Sequence, residues 1–188
     1  MARPGNPREK IMATAGKLFY EQGYNATGIN QILEEAGVAK ASLYSHFGSK
    51  EELGIAYLKE MSIAWFRAFF TAIGKKTIPE DRLLAIFSFL EDNMLKQEFM
   101  GCRFINMLAE TGNNDMQQAI VAHKQQLRDQ IHQLTVAACS QLPARDTKAI
   151  ADTVYLLFEG AIVESKVYRD VWPIRSARKA VKQLAGIA

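Results

Sequence analysis

The segment from Thr27 to Lys50, TGINQILEEAGVAKASLYSHFGSK, restricts the fold of this chain more than any other stretch. Ile29, Ile32, Leu33 and Ala36 recur at helical spacing behind Thr27, a residue type suited to capping a helix start. Gly37 follows, where a left-handed residue ends the helix and reverses the chain, and Val38 packs the turn. In the second helix Ala39, Leu43 and Phe47 each lie about 40° from the next around the axis and form the expected buried stripe. Ala41, Ser42, Tyr44 and Ser45 lie opposite, flanked by Lys40 and His46. Gly48-Ser49 breaks the chain, and Ser49 with Glu52 forms a capping box that leaves Lys50 in the first turn of a third helix.

A second helix with a small, polar outer face is suited to a DNA major groove, because small side chains let the backbone approach base edges. Lys40 can reach a guanine or a phosphate, and Tyr44 and His46 can hydrogen-bond phosphate oxygens. The free N–H groups around Lys50 also attract phosphate. The plainer alternative is a helical hairpin buried in a core. The run AGVAKASLYSHFGSKEEL closely resembles the DNA-binding signature of the tetracycline-repressor (TetR) family, and PREKIMATAGKLFYEQGYNATGINQILEEAG resembles that family's entry to the same motif. The resemblance is dense over residues 7–55 and otherwise lies in the layout of helices. It implies DNA contacts from Thr27, Gly28, Lys40, Ala41, Ser42, Tyr44, Ser45, His46 and Lys50. Ala39 stands where the family often has serine, Ala41 where glycine or proline is common, and Gly28 where some members carry a longer polar residue. Readout then leans on thymine methyl groups, Lys40 and DNA shape.

The remaining sequence reads as helix almost throughout, so the expected class is all-α. A three-helix DNA-binding domain, residues 1–50 with its helix-turn-helix at about 28–47, is expected to join through a long helix to a helical effector-binding and dimerisation domain, residues 51–188. The first helix, about Pro7 to Gln22, turns Ile11, Ala15, Leu18 and Phe19 inward. The long helix, Lys50 to about Ile73, carries one stripe of Leu58, Met61, Trp65, Phe69 and Ala72 and further apolar surface at Ile63, Phe66, Phe70 and Ile73. A helix from about Pro79 to Gln97 is followed by a short one over residues 101–110. Gly112-Asn113-Asn114 should end that helix and Asp115 cap the next, which Pro143 closes. The helix from about Asp146 to Val171 has a stripe of Ile150, Val154, Leu157, Phe158, Ala161 and Tyr168 and a second apolar face at Leu156, Val163 and Val167. The last helix buries Ile174, Ala177, Val181 and Leu184 and turns Arg175, Arg178, Lys179 and Lys182 outward. The resemblance implies that the last two helices pair with those of a second copy, and the double apolar face fits that homodimer; burial within one subunit is the alternative.

Composition adds little: the chain is 48% hydrophobic and 23% charged, with a formal charge of +3. Arg3, Arg8 and Lys10 suggest a basic arm beside the phosphate backbone, although a solvated tail explains Arg3 equally well. The start lacks the apolar run of a signal peptide, and no stretch approaches the ~20 apolar residues of a membrane span. Cys102 and Cys139 form no Cys-x-x-Cys, which favours a reduced, cytoplasmic setting, on the nucleoid when DNA is bound.

Aromatic and methionine residues that suit a core also suit a small-molecule pocket, and the resemblance favours the pocket. The expected lining is Trp65, Phe66, Phe69, Phe87, Leu90, Met94, Cys102, Arg103, Asn106, Met107, Glu110, Phe158 and Ile162. Arg103, Asn106 and Glu110 would orient a ligand or form structural pairs. Some family members resemble this chain in a Gly-Cys at the start of that helix, and a few sense electrophiles through cysteine; for Cys102 an inert thiol is the plainer reading. Catalytic glycine, nucleophile and phosphate-binding motifs are missing. His123 and His132 face opposite sides of one helix, so neither an enzyme, a cofactor nor a metal site is expected. The expected function is a homodimeric DNA-binding regulator, a repressor that leaves a palindromic operator when a small molecule binds.

Overall fold

The computed structural model describes residues 6–112 and 114–187, which form nine helices and no strand. In α1 (Pro7–Glu21) Pro7 sits at the start, and the Asn6 side chain accepts the Glu9 N–H at 2.9 Å. Arg8 and Lys10 therefore belong to a helix and not to an arm, while Arg3 lies outside the described residues. Next come α2 (Ile29–Ala36), α3 (Lys40–Phe47) and α4 (Lys50–Gly74). They are followed by α5 (Pro79–Lys96), α6 (Arg103–Glu110), α7 (Asn114–Ala138), α8 (Ala144–Tyr168) and α9 (Trp172–Leu184).

Several local expectations change. The cap of α2 is Gly28, because the Thr27 hydroxyl turns inward and donates to the Gly23 carbonyl at 2.7 Å. Ala39 caps α3 and is exposed, so the buried stripe of that helix is Leu43 and Phe47 alone. Asp115 lies inside the first turn of α7, and Asn113 of the expected stop is outside the described residues. Helix α7 ends at Ala138, and Pro143, with its fixed backbone angle, caps the start of α8. Tyr168 and Leu184 face solvent, the former in the last turn of α8 before the left-handed Arg169.

The chain forms two compact units, drawn differently from the expected break after residue 50. One comprises the residues up to Ile63 together with Arg103–Ala122; the other comprises Ala64–Cys102 and the chain from His123 onward. Helices α4 and α7 each contribute their N-terminal part to the first unit and their C-terminal part to the second. In the first unit the Phe19 ring meets Tyr24 at 5.1 Å and Tyr57 at 5.7 Å, and Gly54 leaves room for Tyr24 and Met116 to close on α4. The second unit has a continuous apolar core that includes Phe69, Phe87, Leu127, Ile131, Val154, Phe158, Ile174 and Val181. The inward residues anticipated for α1 are all buried, as are the apolar stripes of α5 (Leu83, Phe87, Leu90, Met94) and α7 (Met116, Ile120, Leu127, Ile131, Leu134, Ala138).

Candidate nucleic-acid interface and effector region

The first unit displays α3 by sealing one face of it. Leu43 and Phe47 are buried, and the turn before the helix is fixed by Gly37 in the left-handed region at φ 63° and by the Val38 N–H donating to the Leu33 carbonyl at 3.1 Å. With that face anchored, Lys40, Ala41, Tyr44, Ser45 and His46 are exposed and Ser42 is half-buried. The Lys40 ammonium lies 5.9 Å from the centre of the Tyr44 ring, and the Ser45 hydroxyl donates to the Ser42 carbonyl at 2.9 Å. Gly28 is exposed with open space where a Cβ would stand. Thr27 is 0% exposed and also accepts from Gln22 Nε2 at 3.2 Å, so its side chain supports the turn and offers nothing to a DNA surface.

Half of the expected capping box forms, with the Glu52 N–H donating to Ser49 Oγ at 3.0 Å. The Lys50 ammonium rests 4.4 Å from the Tyr24 ring centre. Partial burial lowers its pKa, against the opposing pull of Glu51 and Glu110. Tyr24 is itself pushed up to about 12, first by burial and then by Glu51. Sequence reasoning missed this support of Lys50 by the Tyr24 ring, because nothing in the local spacing announces it.

The expected effector residues divide between the units. Phe66, Phe69, Phe87, Leu90, Met94, Phe158 and Ile162 belong to the core of the second unit, with Trp65 and Cys102 packed half-buried against it. Arg103, Asn106, Met107 and Glu110 belong to α6 in the first unit. There the Arg103 guanidinium stacks 3.8 Å from the Tyr20 ring centre and reaches Tyr57 Oη at 3.5 Å. Met107 is buried, Asn106 is half-buried, and Glu110 binds the loop at Asn25.

Two polar features of the second unit were not anticipated. His123 is 4% exposed, 5.3 Å from Trp65 and 5.1 Å from Phe66 between ring centres. Burial, aided by Lys124, pushes its pKa down to about 3 and keeps the imidazole neutral. Beside it, Lys124 Nζ lies 2.6 Å from Glu159 Oε2 and 3.5 Å from Cys102 Sγ, with side-chain exposures of 14% for the lysine and 20% for the glutamate. Burial works against the Lys124 charge, but Cys102 and Glu159 outweigh it and raise its pKa. Glu159 Oε1 is buried without a hydrogen-bond partner. Residues 22 and 35 positions apart gave no sequence signal of this cluster.

A helical unit that seals one face of α3 and presents the other, joined to a separate helical core, defines a helix-turn-helix transcription regulator. Residues 11–57 match the family described as bacterial regulatory proteins, tetR family, and residues 79–181 match the tetracyclin repressor-like C-terminal domain. The chain belongs to the tetR family of bacterial regulatory proteins. The transcriptional regulator LmrA of Bacillus subtilis is 53% identical over 58 residues, a match that spans 30% of this chain and only 31% of LmrA. The repressor NemR of Escherichia coli is 26% identical over 190 residues, covering 94% of this chain and 92% of NemR. Among solved structures, a TetR-family regulator of Streptomyces coelicolor aligns with TM-score 0.86 at 25% identity, over 96% of this chain and 94% of that one. The reduced form of Escherichia coli NemR aligns with TM-score 0.81 at 24% identity, over 95% of this chain and 96% of that one, which is a likeness of fold. Among the described residues no helix is long and apolar enough to cross a membrane, and no group of His, Cys, Asp and Glu is placed to hold a metal ion.

Proposed function

We propose that the chain is a homodimeric repressor that binds a palindromic operator and releases it when a small molecule enters the second unit. The observation that carries this reading is the polarity of α3, which has an apolar face locked inward and Lys40, Ala41, Tyr44, Ser45 and His46 outward. In this reading Lys40 and the small residues meet base edges. Tyr44, Ser45, His46 and Lys50 hold phosphates, Ser42 lies at the edge of the contact, and Gly28 lets the duplex approach α2. Lys50 is suited to this because its aromatic support and partial burial orient the ammonium before DNA arrives.

A dimer is favoured by the exposed apolar face of α8, where Leu156 and Val167 are each 67% exposed and Val163 51%, with Tyr168 and Trp172, also exposed, packed together at its C-terminal end. A contiguous apolar face of this kind fits a partner surface, and a twin copy would place two recognition helices about 34 Å apart, one duplex turn. The name repressor carried by the relative NemR supports the sign of regulation. Effector binding is assigned to the core around Trp65, Phe66, Phe69, Phe87, Leu90, Met94, Phe158 and Ile162. In that core the Lys124–Glu159 pair beside Cys102 supplies a polar anchor and Glu159 Oε1 an unused acceptor. Arg103 and Glu110 hold α6 in the first unit, where Asn106 and Met107 also lie.

Sequencing the fragments that purified protein retains from a genomic library tests the reading. The expected result is a recurrent inverted repeat bound by two subunits. Retention without sequence preference, or of a single half-site by a monomer, overturns it.

A further inference from the structure

Within the second unit, α4 and α5 leave an open groove of about 440 Å³ between them. Its existence follows from the sequence of α4, where Ala64, Ala68 and Ala72 recur every four residues on one helix face and supply almost no side-chain volume. Phe89 lines the α5 side, and its ring packs edge-on against Trp65 at 5.4 Å and Phe69 at 5.6 Å.

The polar lining is unbalanced in charge and in hydrogen bonding. Arg67, Lys75 and Lys96 line the groove against one carboxylate, Asp92. Among the described residues none of these three cations is in an ion pair. Asn93, also in the lining, has a fully buried amide nitrogen with no hydrogen-bond acceptor. A buried donor without a partner is unfavourable; this nitrogen is closed off from the groove, and a ligand oxygen would relieve it once the Asn93 amide rotates toward the groove. Apolar walls, excess positive charge and an unused donor select one chemistry, an anionic head on an apolar body.

We propose that the α4/α5 groove binds an amphiphilic organic anion, with the head taken by the Arg67, Lys75, Lys96 and Asn93 donors and the body lying on the alanine row and Phe89. This site is separate from the effector core proposed above, so the fate of the repressor reading does not decide it.

Calorimetric titration with 1-naphthoate, set beside its neutral counterpart 1-naphthamide, tests the proposal on the full chain. Wild-type protein should bind naphthoate at least tenfold more tightly than the amide. The double variant Arg67→Gln/Lys96→Gln should lose tenfold or more of that affinity. Both side chains are exposed, so the urea midpoint should stay within error. Ala68→Trp, which fills the groove from an exposed position, should abolish binding. Absence of naphthoate binding, equal binding of the amide, or naphthoate binding unchanged in both variants overturns the assignment.

Discussion

Asn25 and Glu110, 85 positions apart, are joined by two hydrogen bonds: the Asn25 N–H donates to Glu110 Oε2 at 2.8 Å, and Asn25 Nδ2 donates to the Glu110 carbonyl at 2.6 Å. Together with the stacking of Arg103 on Tyr20, this pair fastens α6 to the unit that holds α3. Because the Asn25 contacts are exposed to water, Glu110→Ala should destabilise the protein by about 1 kcal/mol, read as a lower urea midpoint. An unchanged midpoint would mean that water replaces the carboxylate without loss.

Lys50→Ala should weaken binding to every DNA sequence alike and reduce the salt dependence of binding by about one unit of slope, since one phosphate contact disappears. Affinity measured over a range of salt concentrations checks this. A slope identical to wild type removes Lys50 from the contact.

Lys40→Ala behaves differently if the side chain reaches a base. The loss should depend on the base pair opposite and amount to about 1–3 kcal/mol at the preferred sequence. Equal losses across all operator variants reassign Lys40 to a phosphate.

The pH dependence follows from His123, whose pKa is held near 3 against an ordinary 6.5. Below about pH 6.5 the unfolded chain takes up a proton that the folded chain refuses. This contribution to stability is therefore complete above that pH and declines as the pH falls toward 3, approaching 1.4 kcal/mol per pH unit. His123→Phe should flatten the acid side of a plot of urea midpoint against pH. The same decline in both proteins between pH 6 and 4 would place the acid sensitivity elsewhere.

Val163→Glu places a charge in the exposed apolar face of α8 without disturbing the buried side of the helix. Sedimentation should show a folded monomer where wild type is a dimer, with operator affinity reduced more than a hundredfold. A dimer of wild-type strength would move the interface off this face.

The helices were legible because their periodicity and punctuation are local. Pro7, Gly37, Gly48 and Pro79 fall at helix boundaries, and Leu43 with Phe47 marks the face of α3 that must be buried. Thr27 shows the limit of that reasoning. A threonine before an apolar run satisfies every local rule for a cap, yet the Gly23 carbonyl, four residues back, claims its hydroxyl. The effector residues were legible as apolar and inward-facing but not as neighbours. Met107 and Phe158 look alike in sequence, and the fold assigns them to different units.

The sequence by itself determined the all-helical architecture, the turn geometry around Gly37 and the small polar face of α3, since each rests on backbone preferences and on apolar spacing within one or two turns. Only the tertiary structure decided the ring beneath Lys50, the neutral imidazole of His123, the Lys124–Glu159–Cys102 cluster and the membership of α6. These depend on side chains brought together from distant helices, and dielectric environment and hydrogen-bond distance are properties of that packing, absent from any single segment of the chain.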